Sequence, residues 1–167
     1  MSKVLLVIIG NIASGKSTLI NTVKERVRGF VFYSIDQYRS QYKAIDPTTD
    51  KRAWDLLIKD VSNTERAIVE CSGTSKYFDT LINSFSGKVV VIKIECSVKT
   101  CIQREKLRIQ HGYIKPLFSS YDIEESIRYI DGKLNDIYSD YSIDGEQSNE
   151  EVSKSFFSLP FFRKKAE

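Results

Sequence analysis

Short runs of nearly continuous aliphatic or aromatic residues alternate along the chain with longer stretches in which apolar residues recur every three or four positions. The runs are KVLLVII (Lys3 to Ile9), FVFYSI (Phe30 to Ile35), AIVEC (Ala67 to Cys71), KVVVIKIEC (Lys88 to Cys96) and DYSID (Asp140 to Asp144). Unbroken apolar character of this kind predicts strands covered on both faces. Helical spacing fills the intervals: 16–28, 36–42 with a continuation over 50–63, then 75–85, 97–110, 122–138 and 148–157. Strand and helix alternate from end to end, which predicts a doubly wound α/β domain with a five-stranded parallel sheet between two helical layers. There is no internal repeat and no low-complexity segment.

Length and composition narrow this little further. The chain has 167 residues, 41% hydrophobic and 28% charged, as expected of one globular domain with a real core. A net charge of +3 is too small to imply a polyanionic partner on its own. Cys71, Cys96 and Cys101 show no metal-binding spacing, and His111 is the only histidine, so neither a disulfide scaffold nor a structural zinc site is expected. The amino-terminal apolar run is too short for a membrane span and no later run approaches one, so a cytoplasmic chain with no membrane association is expected. Oligomeric state is not legible. The loop HGYIKPLFSS (111–120) has the composition of a lid hinge, and the tail FFRKKAE is short and basic.

The informative departure comes at the end of the first run. Gly10, Asn11, Ile12, Ala13, Ser14, Gly15, Lys16, Ser17 and Thr18 form G-x-x-x-x-G-K-S-T, directly after a strand and opening a helix. Glycines there permit a backbone that turns successive N–H groups inward around a phosphate, where a side chain would obstruct them. Lys16 adds a point charge for the terminal phosphates and the helix start adds a partial positive charge. The Ser17 hydroxyl is a magnesium ligand in such a loop. The turn is therefore expected to hold a nucleoside triphosphate with Mg²⁺; ATP is the nucleotide expected, and no side chain singles it out from GTP.

Phosphate loops serve switches, motors and kinases alike. The chain contains neither N-K-x-D nor D-x-x-G, as a guanine-nucleotide switch would, nor the Leu-Ser-Gly-Gly signature of a transporter ATPase. It does carry Asp36 directly after the second strand, with Arg39 three residues on. A carboxylate at that edge is placed to take a proton from a hydroxyl attacking a γ-phosphate, and the planar fork of Arg39 suits a phosphate or carboxylate on the acceptor. A helix-capping Asp36 and a solvated Arg39 are the plain alternative.

GNIASGKST followed by Asp-Gln-Tyr-Arg resembles the small phosphate-loop kinases, most closely the kinase domain of phage-type 5′-hydroxyl polynucleotide kinase. Gln37 replaces the second Asp of that family's pair, and Ala13 stands where it often has glycine. The resemblance implies a P-loop domain over 1–167 with a helical lid near 99–120, Asp36 as general base, and Arg39 on the acceptor-side phosphate. It implies that Arg104 and Arg108, which share a face at i, i+4, are lid arginines acting on the transferred phosphoryl group. Lys16 completes the catalytic set. Kinases of gluconate, adenylyl sulfate and nucleotide sugars share the loop and the acid after the second strand. The acceptor is accordingly expected to be the 5′-hydroxyl of a polynucleotide or nucleotide, or else a small metabolite such as a sugar acid, nucleoside or nucleotide sugar. A nucleotide-binding regulatory module is the remaining alternative.

Other positions stay open in the sequence. Glu70, with Ser72 at the third strand's end, either holds a magnesium-bound water or the acceptor, or is an ordinary strand-end acid. DYSIDGEQSNEEV (140–152) looks like the loop on the adenine side. Tyr33, Tyr38 and Tyr42 offer stacking faces or plain packing, and His111, Trp54 and the cysteines are expected to be structural or incidental.

Overall fold

The computed structural model describes residues 3–112 and 122–162. Its strands are β1 (Val4–Gly10), β2 (Val31–Ser34), β3 (Arg66–Glu70), β4 (Lys88–Glu95) and β5 (Tyr141–Asp144). Its helices are α1 (Lys16–Val23), α2 (Ile35–Gln41), α3 (Pro47–Ser62), α4 (Phe78–Ser84), α5 (Val98–Gln110), α6 (Ile123–Leu134) and α7 (Asn149–Phe157). The strands form one sheet in the order β2-β3-β1-β4-β5, with every pairing parallel. This is the expected architecture.

Burial explains why β1 lies at the centre. Leu5 through Ile9 are all fully buried, so both faces of the strand are covered. Each such side chain contributes about 1.5–3 kcal/mol through removal from water. Leu5, Val7 and Ile9 face a cluster built with Trp54, Leu57 and Val61 of α3 and Leu81 of α4. Leu6 and Ile8 face the opposite cluster, built with Leu19, Ile20 and Val23 of α1 and Val152 and Phe156 of α7. A third cluster, Cys101, Ile102 and Ile127, joins α5 to α6.

Helix limits differ from the sequence expectation where local hydrogen bonds intervene. Helix α1 stops at Val23 rather than 28, since Arg26 N bonds to Val23 O and tightens the chain into a turn before Gly29 at φ 77°. Helix α3 begins at Pro47 instead of 50. Asp46 caps it by accepting from Thr49 N, Thr49 returns the bond to the cap, and proline stands at the first position. Helix α4 starts at Phe78 instead of 75, after a turn in which Ser75 O accepts from Phe78 N. Helix α6 ends at Leu134 instead of 138, where Asp136 and Ile137 bond three residues back. No described helix is long and apolar enough to cross a membrane.

The topology places the site. From β1 the chain passes to β2 on one side, while the step from β3 to β4 crosses to the other, so the strand order reverses beside β1. The carboxyl ends of the strands at such a switch point open into a crevice where ligands bind in α/β folds. Gly10, Ser34, Glu70, Glu95 and Asp144 end the strands on that edge.

Candidate active site

The loop between β1 and α1 is shaped by close approach and by backbone sign. A Cβ on Gly10 would lie 2.7 Å from Ser14 Oγ and 2.8 Å from the backbone O of Ile94, so only glycine fits. Gly15 caps α1 at φ 104°, with open space around it; its role is conformational. Ala13 adopts φ 57° without being glycine. Asn11 is buried and turned away from the loop's mouth: its Nδ2 donates to Ile127 O at 2.9 Å, while its Oδ1 accepts from Ile12 N at 2.8 Å. Its side chain therefore ties the loop to α6.

Lys16 Nζ donates to Asn11 O at 2.6 Å, across the loop. Burial pulls its ammonium below the ordinary lysine range, against the opposing pull of Glu70 and Asp36. The Ser17 hydroxyl donates to Glu70 Oε1. Burial raises the Glu70 carboxyl above the usual range, although the Ser17 bond and Lys16 act the other way. Glu70 is thus the acid that the sequence left undecided between roles, and it meets the candidate metal ligand directly.

Asp36 opens α2 beside this pair with its side chain 60% exposed. Arg39 is held from two sides: Nη1 lies 3.3 Å from Asp36 Oδ1, and Nε donates to Asp50 Oδ1 at 2.7 Å. Asp50, in the first turn of α3, is buried. Sequence reasoning missed it, although Asp46, Pro47 and Thr49 carry the signal of a helix start that would have placed Asp50 on the first turn.

Arg104 and Arg108 leave α5 for different partners. Arg104 Nη2 donates to Gly145 O at 2.9 Å, and Nη1 lies 3.4 Å from Ser14 O, which stitches the phosphate loop to the turn after β5. A Cβ on Gly145 would come within 2.7 Å of Ser14 O, so that turn abuts the loop directly. Arg108 Nη1 donates to Glu105 Oε2 at 2.9 Å, and Glu105 is buried. The neighbouring Glu146 accepts from Ser97 N at 3.1 Å and from its hydroxyl at 2.5 Å, bonds that hold its carboxyl down to about 2. These contacts fix the 140–152 segment against the start of α5.

A cleft of about 1010 Å³ takes in Gly10, Ile12 through Thr18, Asp36, Arg39, Glu70, Ser72, Arg104 and Arg108 together. Neither protein-family profiles nor curated proteins offer a match to the chain. Solved structures do. A chain of the Pnkp1/Rnl/Hen1 RNA repair complex is 16% identical with a TM-score of 0.65, over 83% of this chain and 47% of that one. A gluconokinase from Sinorhizobium meliloti 1021 is also 16% identical, with a TM-score of 0.59 over 89% of this chain and 86% of its own. Shikimate kinase from Bacteroides thetaiotaomicron is 11% identical with a TM-score of 0.68, over 93% and 97%. The chain has the fold of the P-loop kinases. It spans about half the length of the repair-complex chain.

Within this P-loop fold the expected site residues converge on one cleft, with Asn11 the exception, since its side chain faces α6. Residues 113–120 of the expected lid, Lys115 among them, lie outside the described residues, as do 163–167 of the tail. Tyr33, Tyr38 and Tyr42 pack on one another at ring separations of 6.4 and 6.0 Å, and Tyr38 donates to Asp60 at 2.5 Å. Trp54 is a core residue and His111 bonds the carbonyl of Leu107 in its own helix. The thiols of Cys71 and Cys101 are pushed up to about 12 by burial, which leaves them inert.

Proposed function

We propose that the protein is an ATP- and Mg²⁺-dependent kinase that phosphorylates a hydroxyl group, with the 5′-hydroxyl of a polynucleotide or nucleotide as acceptor. One observation carries the reading: the Ser17 hydroxyl and the Glu70 carboxylate are bonded to each other in the cleft that Asp36 and Arg39 also line. The residues suit the nucleotide. The close approach at Gly10 and the left-handed backbone at Ala13 and Gly15 shape a cradle no ordinary corner needs, and the first N–H groups of α1 have no partner within the helix. Lys16 and these N–H groups would hold the phosphates, Ser17 with Glu70 the metal or its water. Bound ATP and magnesium supply the phosphoryl group and the neutralisation of its oxygens.

The chain's own residues then position and relay. Asp36, exposed at the carboxyl edge of β2, accepts the acceptor hydroxyl's proton, and Arg39 grips an anionic group on the acceptor. Arg104 and Arg108 on α5 contribute positive charge from the other wall of the cleft. A small-metabolite acceptor is the second reading. What favours it is that the gluconokinase and shikimate kinase chains are matched over nearly their whole length, unlike the repair-complex chain. Acceptor-dependent ADP release, measured with 5′-hydroxyl oligonucleotides, nucleosides and sugar acids, decides between them. Asp36→Asn is expected to lower the rate by about 10²–10⁴ with nucleotide binding kept. An unchanged rate removes Asp36 from the chemistry.

A further inference from the structure

The amino-terminal edge of the sheet, opposite the cleft, carries a run of cations that lie on phenylalanine rings instead of beside carboxylates. The Arg26 guanidinium lies 4.1 Å from the Phe157 ring centre, Arg66 lies 4.2 Å from Phe30, and Lys88 Nζ lies 4.6 Å from Phe161. Their positions follow from register. Val4 pairs with Arg66 on one side and Lys88 on the other, so the two cations flank β1 on the same face of the sheet. Phe30, Phe157, Phe161 and Phe162 pack against the same core cluster. The ring of Phe162, the chain neighbour of Phe161, lies 5.7 Å from that of Phe157, so the chain at 161–162 links the Arg26 and Lys88 ends. A Cβ on Gly29 would be 3.7 Å from Arg66 Nη1, so the segment carrying Arg26 and Phe30 closes onto Arg66. The result is one continuous arc.

Its charge is not neutralised in place. Among the described residues no ion pair involves Arg26, Arg66 or Lys88, while Lys3 on the same edge pairs with Glu65 at 3.8 Å. Glu25 and Glu65 are the acids in these segments, against Lys3, Arg26, Arg28, Arg66 and Lys88. The carboxyl ends of α1 and α7 reach this edge with about half a negative charge each, which the full cations outnumber.

We propose that this arc is a docking surface for a single-stranded nucleic acid, separate from the cleft. Cations seated on rings are held in place, and guanidinium planes offer a face on which bases stack while phosphates are neutralised. The rings are covered by their own cations and present little hydrocarbon, the opposite of what insertion into a lipid surface requires. With β1 seven residues long, the arc lies about 20 Å from the phosphate loop at roughly 3.3 Å per residue.

The test is fluorescence anisotropy of the full chain with a 5′-phosphorylated single-stranded oligonucleotide, whose blocked end makes the result independent of the proposed kinase reaction. The variant R26Q/R66Q/K88Q keeps two methylenes and a polar head at each position and removes the charge. Wild-type binding is expected to weaken with salt, and the slope of log K against log[salt] is expected to become shallower by about 2 in the variant, at roughly 0.7 for each phosphate no longer neutralised. A circular dichroism spectrum and a cooperative thermal unfolding transition like those of the wild type show that the variant is folded; where the triple variant does not fold, R66Q alone is expected to make the slope shallower by roughly 0.7. Absence of wild-type binding, an unchanged slope in the folded variant, or binding to anionic phospholipid vesicles that the oligonucleotide does not compete would overturn the proposal.

Discussion

Arg39 and Asp50 form the best-sheltered ion pair at the mouth of the cleft, with Nε to Oδ1 at 2.7 Å and side chains 24% and 11% exposed. The pair joins α2 to α3 and turns one end of the guanidinium toward Asp36. Asp50→Ala removes the anchor and leaves a half-sheltered guanidinium without it, at a cost of about 1–3 kcal/mol in chemical denaturation. The KM for the acceptor is expected to rise while the KM for ATP stays constant. Asp50→Asn, which keeps an oxygen for Nε, should recover most of both. Equal loss of ATP and acceptor affinity in the alanine variant would show that Asp50 only supports the fold.

Lys16 is a half-buried cation whose ammonium is pulled below the ordinary lysine range by desolvation in the cleft. A lysine depressed in this way adds stability only above its unfolded range, and that contribution is lost as pH falls through the native value; at neutral pH the charge is a cost. Lys16→Met should therefore leave the thermal midpoint near pH 7 unchanged or raised, although it loses the bond to Asn11 O. What it should abolish is stabilisation by nucleotide. Wild-type protein at a hundredfold excess of ATP·Mg²⁺ over Kd gains about 2.7 kcal/mol, roughly 5–11 °C, by differential scanning fluorimetry. A variant that keeps this shift would detach Lys16 from the phosphates.

Glu70 runs the other way. Its carboxyl is raised by burial, so the folded state prefers the proton. The resulting stability is fully present below the ordinary glutamate range and lost as pH rises through the raised native value. Glu70→Gln retains an oxygen for the Ser17 hydroxyl and removes the titration. Its thermal midpoint should fall less between acid and neutral pH than that of the wild type. Turnover should drop about 10- to 100-fold, with more Mg²⁺ needed for half-maximal rate. Unaltered metal dependence would make Glu70 an ordinary strand-end acid.

The parts of this site that could be read from sequence are those specified by local patterns. G-x-x-x-x-G-K-S-T after an apolar strand announces its own backbone, and Asp36 follows β2 directly. The same holds for the sheet, because Leu5 through Ile9 read as doubly covered and are. What escaped depends on contacts between distant segments. The Asn11 side chain finds Ile127 O across 116 positions, and Arg104 finds Ser14 and Gly145. No periodicity encodes such meetings. Arg104 and Arg108 share a helical face, yet Glu105 draws one and the P-loop backbone the other. The early end of α1 was also illegible, since residues 24–28 have good helical composition and the turn is set by the bond from Arg26 N to Val23 O and by Gly29.

Within the phosphate loop, Ala13 is the position where local sequence and backbone disagree. At φ 57° a residue with a Cβ is strained by about 1–2 kcal/mol, and only the surrounding loop holds it there. Glycine relieves the strain but adds about 0.4–1 kcal/mol of unfolded-state entropy, so Ala13→Gly should stabilise by up to about 1.6 kcal/mol, at most roughly 3–6 °C. If the left-handed turn serves to aim N–H groups at a phosphate, ATP affinity should be the same in this variant. Ala13→Val, whose branched side chain resists φ above zero, should lower both the thermal midpoint and the nucleotide-induced shift. Calorimetric titration with ATP beside thermal unfolding separates the two effects. A valine variant with full affinity would mean that the cradle does not depend on the sign of φ at this residue.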